Sequence, residues 1–217
     1  MKFTAEEESL ILDQSGLRSV LPKITLAVVR EKYSEPTRHY HDWHHALSVL
    51  SWVNHVCEYV PEDDLAPYTH LDLRLAALFH DVIYTTQGSP GNERDSADVL
   101  QSYGISFGFE SKTAEQLILA TAQHGKLESQ HVDEATGLFL DCDIASFGEV
   151  RWEIVVWNDM DICKELLQKY NEDQIKIGRK AFLQGLLDKE SIFLSTHFLH
   201  LERQARRNIR KLISERY

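Results

Sequence analysis

The chain has 217 residues, of which 43% are hydrophobic and 26% are charged, with only 10 Gly and 5 Pro. This composition is typical of a folded domain with one substantial core and argues against long disordered segments. A net charge of −11 argues against a general nucleic-acid or anionic-membrane surface. It does not exclude a phosphate substrate, because a metal ion and a few arginines can reverse the field inside a cleft.

The cysteines and the first residues bear on the cellular compartment. Three cysteines without a CxxC spacing argue against a disulfide framework and favour a reducing environment. The first eight residues are acidic and lack the apolar core of a signal peptide, and every apolar run is too short to cross a bilayer. We therefore expect a cytoplasmic protein with no membrane partner.

Helical periodicity dominates the sequence, and the alternation typical of strands is nearly absent. In chain order, the pattern predicts a helix over about 22–33 and a second helix that begins at Asp42 as N-cap and ends before a loop at 60–67. A third helix is predicted over about 68–84, and a loop at 85–91 separates it from a fourth over about 92–103, with Asn92 as its N-cap. Further helices are predicted over about 111–124, 132–146, 150–168, 173–188 and 190–214. We interpret residues 1–217 as a single all-α domain. Its core motifs lie at about 38–148, and the C-terminal helices at 149–214 are expected to pack on them.

The most informative stretch is Leu-Ala-Ala-Leu-Phe-His-Asp at residues 75–81. A helix with this little polar surface belongs in the core, so His80 and Asp81 are expected to be buried. An unpaired buried charge costs several kcal/mol, in the range of ~2–7 for a polar group and more for an ion. His80 and Asp81 therefore need a partner, and a metal ion is an efficient one.

A second cluster of histidines lies between Arg38 and His45, where four His occur in seven residues from His39 to His45. His45 is on the apolar side of the predicted helix, and His41 shares that side if the helix extends back to it. Each of these histidines, taken alone, is also explained by a structural or an exposed position.

Two acids follow another apolar run, Gly-Leu-Phe-Leu, at Asp141 and Asp143. A lone Asp-x-Asp is also explained by an N-cap or a solvated turn. Buried carboxylates are rarely unpaired, so we expect the two acid-bearing runs to converge on one cation. Together, His45, His80, Asp81 and Asp143 form a nitrogen and oxygen ligand set that suits Mn²⁺, Fe²⁺, Ni²⁺, Co²⁺ or Zn²⁺ better than Mg²⁺ or Ca²⁺.

The order His, His-Asp, Asp resembles the HD superfamily of metal-dependent phosphohydrolases. It is most similar to a subfamily of predicted phosphohydrolases with four motifs: Arg-x-Tyr-His-x-x-x-His, here at 38–45; His-Asp, at 80–81; Asn-Glu-x-x-Ser-Ala, at 92–97; and Asp-x-Asp ending in Gly, at 141–148. The resemblance covers about residues 20–213. It implies an HD-type helical fold, with His45, His80, Asp81 and Asp143 as the metal ligands.

The resemblance also implies roles for further residues. His41 and Asp141 would orient the ligands. Glu93 or Asp81 would manage the proton of the attacking water, although an acid in the first turn of a helix, such as Glu93, is equally explained by the helix dipole. His124 would assist the leaving group or bind a second metal, although a helix C-terminus also favours a histidine. Arg38 and Arg179 would bind phosphate, with surface salt bridges as the alternative.

Two departures from relatives narrow the expected reaction. Tyr84-Thr85 stands where the guanosine-tetraphosphate hydrolases have an acidic pair, and the Gly-Tyr-Pro sequence of the cyclic-dinucleotide branch is missing. We therefore expect metal-dependent hydrolysis of a small phosphate ester, a nucleotide being one such ester. The alternatives are an inactive metal-binding or nucleotide-binding module and a helical interaction domain with coincidental His-Asp pairs.

Overall fold

The computed structural model describes residues 2–85 and 91–217, and the predicted loop at 85–91 lies largely outside these ranges. All regular elements of the described residues are helical, and no strand occurs among them. The all-α prediction is therefore confirmed. The chain divides into two compact units, Met1–Ala122 and Gln123–Tyr217. The prediction of a single HD-type domain stays a prediction.

The first unit contains seven α-helices within its described residues. They are α1 (Ala5–Gln14), α2 (Leu17–Val20), α3 (Lys23–Tyr33), α4 (Trp43–Cys57), α5 (His70–Phe79), α6 (Asn92–Phe107) and α7 (Lys112–Ala120). Helix α5 lies at the centre, where it packs against α4, α6 and α7, and α1 packs on α4. Every residue from Leu75 to Phe79 is fully buried, as the apolar run predicts.

The second unit contains α8 (Glu134–Ile144), α9 (Trp152–Leu166), α10 (Glu172–Asp188) and α11 (Leu199–Arg216). Short 3₁₀ helices lie at Ala145–Gly148 and Thr196–Phe198. Helix α11 packs against α10, α9 and the Ala145–Gly148 turn. The buried side of α11 carries Ala205, Asn208, Ile209 and Leu212, which recur at helical spacing.

The helix predicted over 68–84 ends at Phe79 because other groups take its hydrogen bonds. In a continuing helix, the N–H of Asp81 would donate to the carbonyl of Ala77. Instead, it donates to the hydroxyl of Tyr33, and the carbonyl of Ala77 lies 3.0 Å from Nδ1 of His80. His80 and Asp81 therefore follow the helix rather than belonging to it.

Other boundaries also differ from the predictions, among them the end of α7, which lies at Ala120 rather than near 124. Helices α1 and α2 precede the first predicted helix, and α1 begins with a capping box between Thr4 and Glu7. The N-cap of α6 is Gly91 rather than Asn92, whose amide binds the backbone of Thr85. The last helix begins at Leu199 rather than near 190.

None of the three cysteines, all within the described residues, forms a disulfide bond.

Candidate metal centre

His45 is positioned by the start of α4. The carboxylate of Asp42 is the N-cap and accepts hydrogen bonds from the N–H groups of His44 at 2.8 Å and His45 at 3.1 Å. This arrangement satisfies two of the helix's unpaired donors and fixes where the helix begins. The prediction of Asp42 as N-cap is thus confirmed, and the His45 side chain lies on the buried side of α4.

The turn after α5 is held from outside the helix. Nη1 of Arg38 donates to the carbonyl of Asp81 at 2.6 Å and Nη2 donates to that of Val82 at 3.0 Å. The hydroxyl of Tyr33 donates to the carbonyl of Leu78 and accepts from the N–H of Asp81. These bonds present His80 and Asp81 on a fixed backbone.

The tautomer of His80 follows from its neighbour. Its Nδ1 lies 3.0 Å from the carbonyl oxygen of Ala77, which can only accept a hydrogen bond. Nδ1 therefore carries a proton, and Nε2, which faces the Asp81 carboxylate, is the nitrogen that would bind a metal ion once it is deprotonated. Histidine binds a metal ion through the lone pair of a deprotonated ring nitrogen.

His45, His80 and Asp81 bring one ligand atom each to the same point. The two Nε2 atoms are 3.2 Å apart, and Oδ2 of Asp81 lies 3.1 Å from Nε2 of His80 and 3.6 Å from Nε2 of His45. Ligand atoms about 2.1 Å from one ion lie about 3.0 Å apart at a right angle and about 3.4 Å apart at the tetrahedral angle. The triangle therefore has the dimensions of one face of a coordination shell, and His45 and His80 belong to a group that could hold a metal ion.

Asp81 is anionic in this setting. Burial acts to raise the pKa of its carboxyl, but the imidazoles of His80 and His41 outweigh burial and hold that pKa well below its usual range. Two imidazoles and one carboxylate form the donor set of many divalent transition-metal sites. The residue types and their charge thus fit a divalent cation.

Aromatic rings lie beside this triangle. The ring centroids of Tyr40 and His45 are 4.7 Å apart, and the rings of His41 and Tyr84 stack with their centroids 4.1 Å apart. The sequence interpretation did not assign roles to Tyr33, Tyr40 or Tyr84. Tyr40 lies within the motif at 38–45, and Tyr84 lies three residues after the motif at 80–81; these positions are the sequence signal for the two rings.

Hydrogen bonds connect the start of α6 to the segment that follows Asp81. The hydroxyl of Ser96 bonds both the N–H and the carbonyl of Ile83, and the Asn92 amide bonds the backbone of Thr85. The Asn-Glu-x-x-Ser segment therefore anchors the chain that follows Asp81. Glu93 lies in the first turn of α6, where the helix dipole favours an acid, and its role toward water stays a prediction.

In the second unit, Asp143 and His124 form a close pair. Oδ2 of Asp143 lies 2.6 Å from Nε2 of His124, and both side chains are mostly buried. Such a contact orients the imidazole and fixes which nitrogen carries a proton. The roles of Asp143 as a metal ligand and of His124 toward a leaving group stay predictions.

Asp141 is bound to backbone. Its carboxylate accepts hydrogen bonds from the N–H groups of Leu194, at 2.8 and 3.0 Å, and Ser195, at 2.7 Å. Burial raises the pKa of Asp141 to about 8, although these N–H groups act to lower it. The carboxylate therefore holds the segment before the Thr196–Phe198 turn, and its predicted role in orienting ligands is not tested by these contacts.

The two arginines predicted to bind phosphate are both engaged with the protein. Arg38 is 7% exposed, and its guanidinium bonds backbone carbonyls. Arg179 donates from Nη2 to the buried carboxylate of Asp159 at 2.8 Å, and Asp159 also accepts from Arg216 and the Tyr217 hydroxyl. Each arginine therefore takes part in a salt bridge, Arg38 with Glu35 and Arg179 with Asp159, but both arginine side chains are largely buried rather than on the surface. Phosphate binding by either arginine stays a prediction.

Comparison of the chain with models of protein families, with curated proteins and with solved structures finds no significant match in any of the three. Within the described residues, no helix combines the length and the apolar character needed to cross a bilayer. The functional assignment therefore depends on the side chains of the candidate centre and on the motifs that contain them.

Proposed function

We propose that the chain is a metal-dependent phosphohydrolase that acts on a small phosphate ester, with a nucleotide among the substrates to be tested. The observation that supports this most strongly is the triangle of ligand atoms from His45, His80 and Asp81, whose edges of 3.2, 3.1 and 3.6 Å match a shared cation. The motif resemblance to the HD superfamily is the second support. In this proposal the protein acts in the cytoplasm.

Asp143 is the fourth ligand in this proposal. The sequence order His, His-Asp, Asp is its support, together with the carboxylate character of the residue. The cation would be Mn²⁺, Fe²⁺, Ni²⁺, Co²⁺ or Zn²⁺, because the set combines imidazole nitrogen with carboxylate oxygen. Four protein ligands leave room in an octahedral shell for water and a substrate oxygen.

The reaction would be attack of water on phosphorus with rupture of the ester P–O bond. An ion held by His45, His80, Asp81 and Asp143 would lower the pKa of its water from about 15.7 toward 7 and would polarise a phosphoryl oxygen. Asp81 or Glu93 accepts the proton that the water loses, and His124 donates a proton to the departing ester oxygen. The Asp143 carboxylate, 2.6 Å from His124 Nε2, stabilises the protonated imidazole that this last step requires.

Elemental analysis of the purified protein and a panel of phosphate esters with added Mn²⁺, Ni²⁺ or Co²⁺ test the proposal. We expect bound metal and metal-dependent hydrolysis in the wild type, and loss of both in the variant His80→Ala. Activity should also be lost in Asp143→Ala. His55→Ala is a matched control, since His55 lies on the same helix as His45 with its side chain largely exposed.

The outcomes separate the candidate functions. Wild-type protein without transition metal, together with unchanged activity in His80→Ala, contradicts the proposal. Bound metal and calorimetric binding of nucleotides without turnover favours the alternative, an inactive metal-binding or nucleotide-binding module. Circular dichroism of each variant distinguishes a lost site from a lost fold.

A further inference from the structure

Arg38 connects the two segments that carry the ligands of the candidate metal centre. Its Nη1 donates to the carbonyl of His41 at 3.1 Å, within the segment that leads into α4 and His45. The same nitrogen donates to the carbonyl of Asp81 at 2.6 Å, and Nη2 donates to the carbonyl of Val82 at 3.0 Å. One planar group therefore sets the spacing between the chain before His45 and the turn at 80–82.

The guanidinium has little capacity left for a ligand. Nε donates to the Glu35 carboxylate at 3.3 Å, so the bonds to Glu35, His41, Asp81 and Val82 use four of the five N–H groups of an arginine. Bidentate binding of a phosphate needs two N–H groups on adjacent nitrogens. The arrangement thus favours a structural connection over phosphate binding.

Arg38 and Tyr33 together form a clamp on the turn at 80–82. The guanidinium carbon of Arg38 lies 5.1 Å from the centre of the Tyr33 ring, and the Tyr33 hydroxyl bonds the backbone of Leu78 and Asp81. The Arg38 side chain is only 1% exposed, so these interactions occur in a region of low dielectric where each is strengthened. Arg38 and Tyr33 together hold the backbone of the His80–Asp81 turn on both sides.

We infer that Arg38 is a positioning residue that fixes the distance between His45 and the His80–Asp81 pair and thereby sets the affinity of the centre for a divalent cation. This inference rests on the proposed metal centre. Lysine cannot replace arginine in this role, because its three N–H groups radiate from a single nitrogen and cannot reach three carbonyls in one plane. Substitutions of groups that orient metal ligands commonly weaken metal binding by about 10-fold to 100-fold.

The test is the affinity for Co²⁺, measured from its visible absorption spectrum in the metal-free protein. We expect the dissociation constant to rise at least about tenfold in Arg38→Lys. Tyr33→Phe, which removes only the hydroxyl, should raise it by a smaller factor and serves as the test if Arg38→Lys does not fold. Arg30→Lys is the matched control, since Arg30 pairs with Glu8 and is 56% exposed.

Unchanged Co²⁺ affinity in folded Arg38→Lys overturns the inference. So does a higher KM for the phosphate ester with an unchanged Co²⁺ dissociation constant, since this would show that Arg38 contacts the substrate. If the wild type binds no Co²⁺, the proposed function fails by itself. In that case, amide hydrogen exchange over residues 78–83 tests whether Arg38 and Tyr33 clamp this turn. Exchange should be faster in Arg38→Lys than in the wild type and unchanged in Arg30→Lys. Equal exchange rates in the two variants overturn the inference.

Discussion

The carboxylates of Asp81 and Asp141 both follow apolar runs, but their surroundings give them different properties. Asp81 lies beside the imidazoles of His80 and His41, which hold its pKa low and keep it charged. Asp141 is fully buried and faces two backbone N–H groups, and burial raises its pKa to about 8. The imidazoles thus stabilise the charge of Asp81, whereas the backbone donors offset only part of the cost of burying a charge at Asp141.

The variant Asp141→Ala should destabilise the protein by about 2–4 kcal/mol, because it leaves the N–H groups of Leu194 and Ser195 without their acceptor. Urea unfolding followed by circular dichroism measures this loss. Asp161→Ala is the control, since Asp161 forms an exposed ion pair with Lys164 and its removal should change stability by less than about 0.5 kcal/mol. Equal unfolding midpoints for Asp141→Ala and the wild type would contradict this role of Asp141.

At the residue scale, the sequence indicates which side chains come close to one another better than it indicates which backbone groups they bind. His45, His80 and Asp81 were grouped from an apolar run and a motif, and they lie within 3.6 Å of one another. The contacts of Arg38 were not predictable, because the carbonyls of Asp81 and Val82 lie 43 and 44 residues further along the chain. Sequence patterns encode local geometry, whereas such pairings depend on how helices pack.

At the scale of elements, α5 shows how a helix is ended by its neighbours. Its apolar run contains no glycine or proline that would predict a stop before Tyr84. The helix nevertheless ends at Phe79, because the hydroxyl of Tyr33 takes the N–H of Asp81. Ending the helix there frees His80 and Asp81 to point to one position, which a continuing helix would not allow for adjacent residues.

Two glycines of the second unit provide opposite tests of packing. A Cβ added at Gly148 would lie 2.7 Å from Cβ of Leu201 on α11, whereas a Cβ at Gly185 in α10 would meet nothing within 4 Å. We expect Gly148→Ala to destabilise the protein by about 1–3 kcal/mol through overpacking. Gly185→Ala should stabilise it by about 0.5–1 kcal/mol, because alanine favours the helix interior.

Urea unfolding midpoints of the two variants check this pair, and each glycine is the control for the other because the substitution is the same. A Gly148→Ala protein at least as stable as the wild type would contradict the close approach of the Ala145–Gly148 turn to α11. The result would also bear on the Asp-x-Asp motif ending in Gly, since the packing at Gly148 is a physical reason for its glycine.

At the scale of the whole molecule, a net charge of −11 makes binding of a cation favourable in general, so specific binding must be separated from nonspecific attraction. Specific binding couples to the stability of the folded chain, because the triangle of His45, His80 and Asp81 does not exist in the unfolded state. A cation that binds only the folded form stabilises it by an amount set by its concentration relative to Kd.

Addition of Mn²⁺, Ni²⁺ or Co²⁺ at 100 times its Kd should stabilise the protein by about 2.7 kcal/mol, which corresponds to a rise in Tm of about 5 °C or more. Thermal unfolding with and without metal measures this rise. A chelator should reverse it, His80→Ala should abolish it, and His55→Ala should retain it. An equal rise in His80→Ala would indicate binding elsewhere on the acidic surface.

The helical class of this protein follows from its sequence alone, because hydrophobic periodicity and end-capping residues act within a few residues of chain. The capped start of α4 at Asp42 and the burial of the run at 75–79 follow from the sequence in the same way. These features depend on neighbours along the chain and are therefore visible in its order of residues.

Tertiary packing, in contrast, determines where α5 ends and which atoms of His45, His80 and Asp81 face one another. It also determines the distant backbone groups that Arg38 and Asp141 bind. These are contacts over 35 to 54 residues of chain. Their geometry follows from how the helices pack and from the requirement that buried polar groups find partners, which no local pattern specifies.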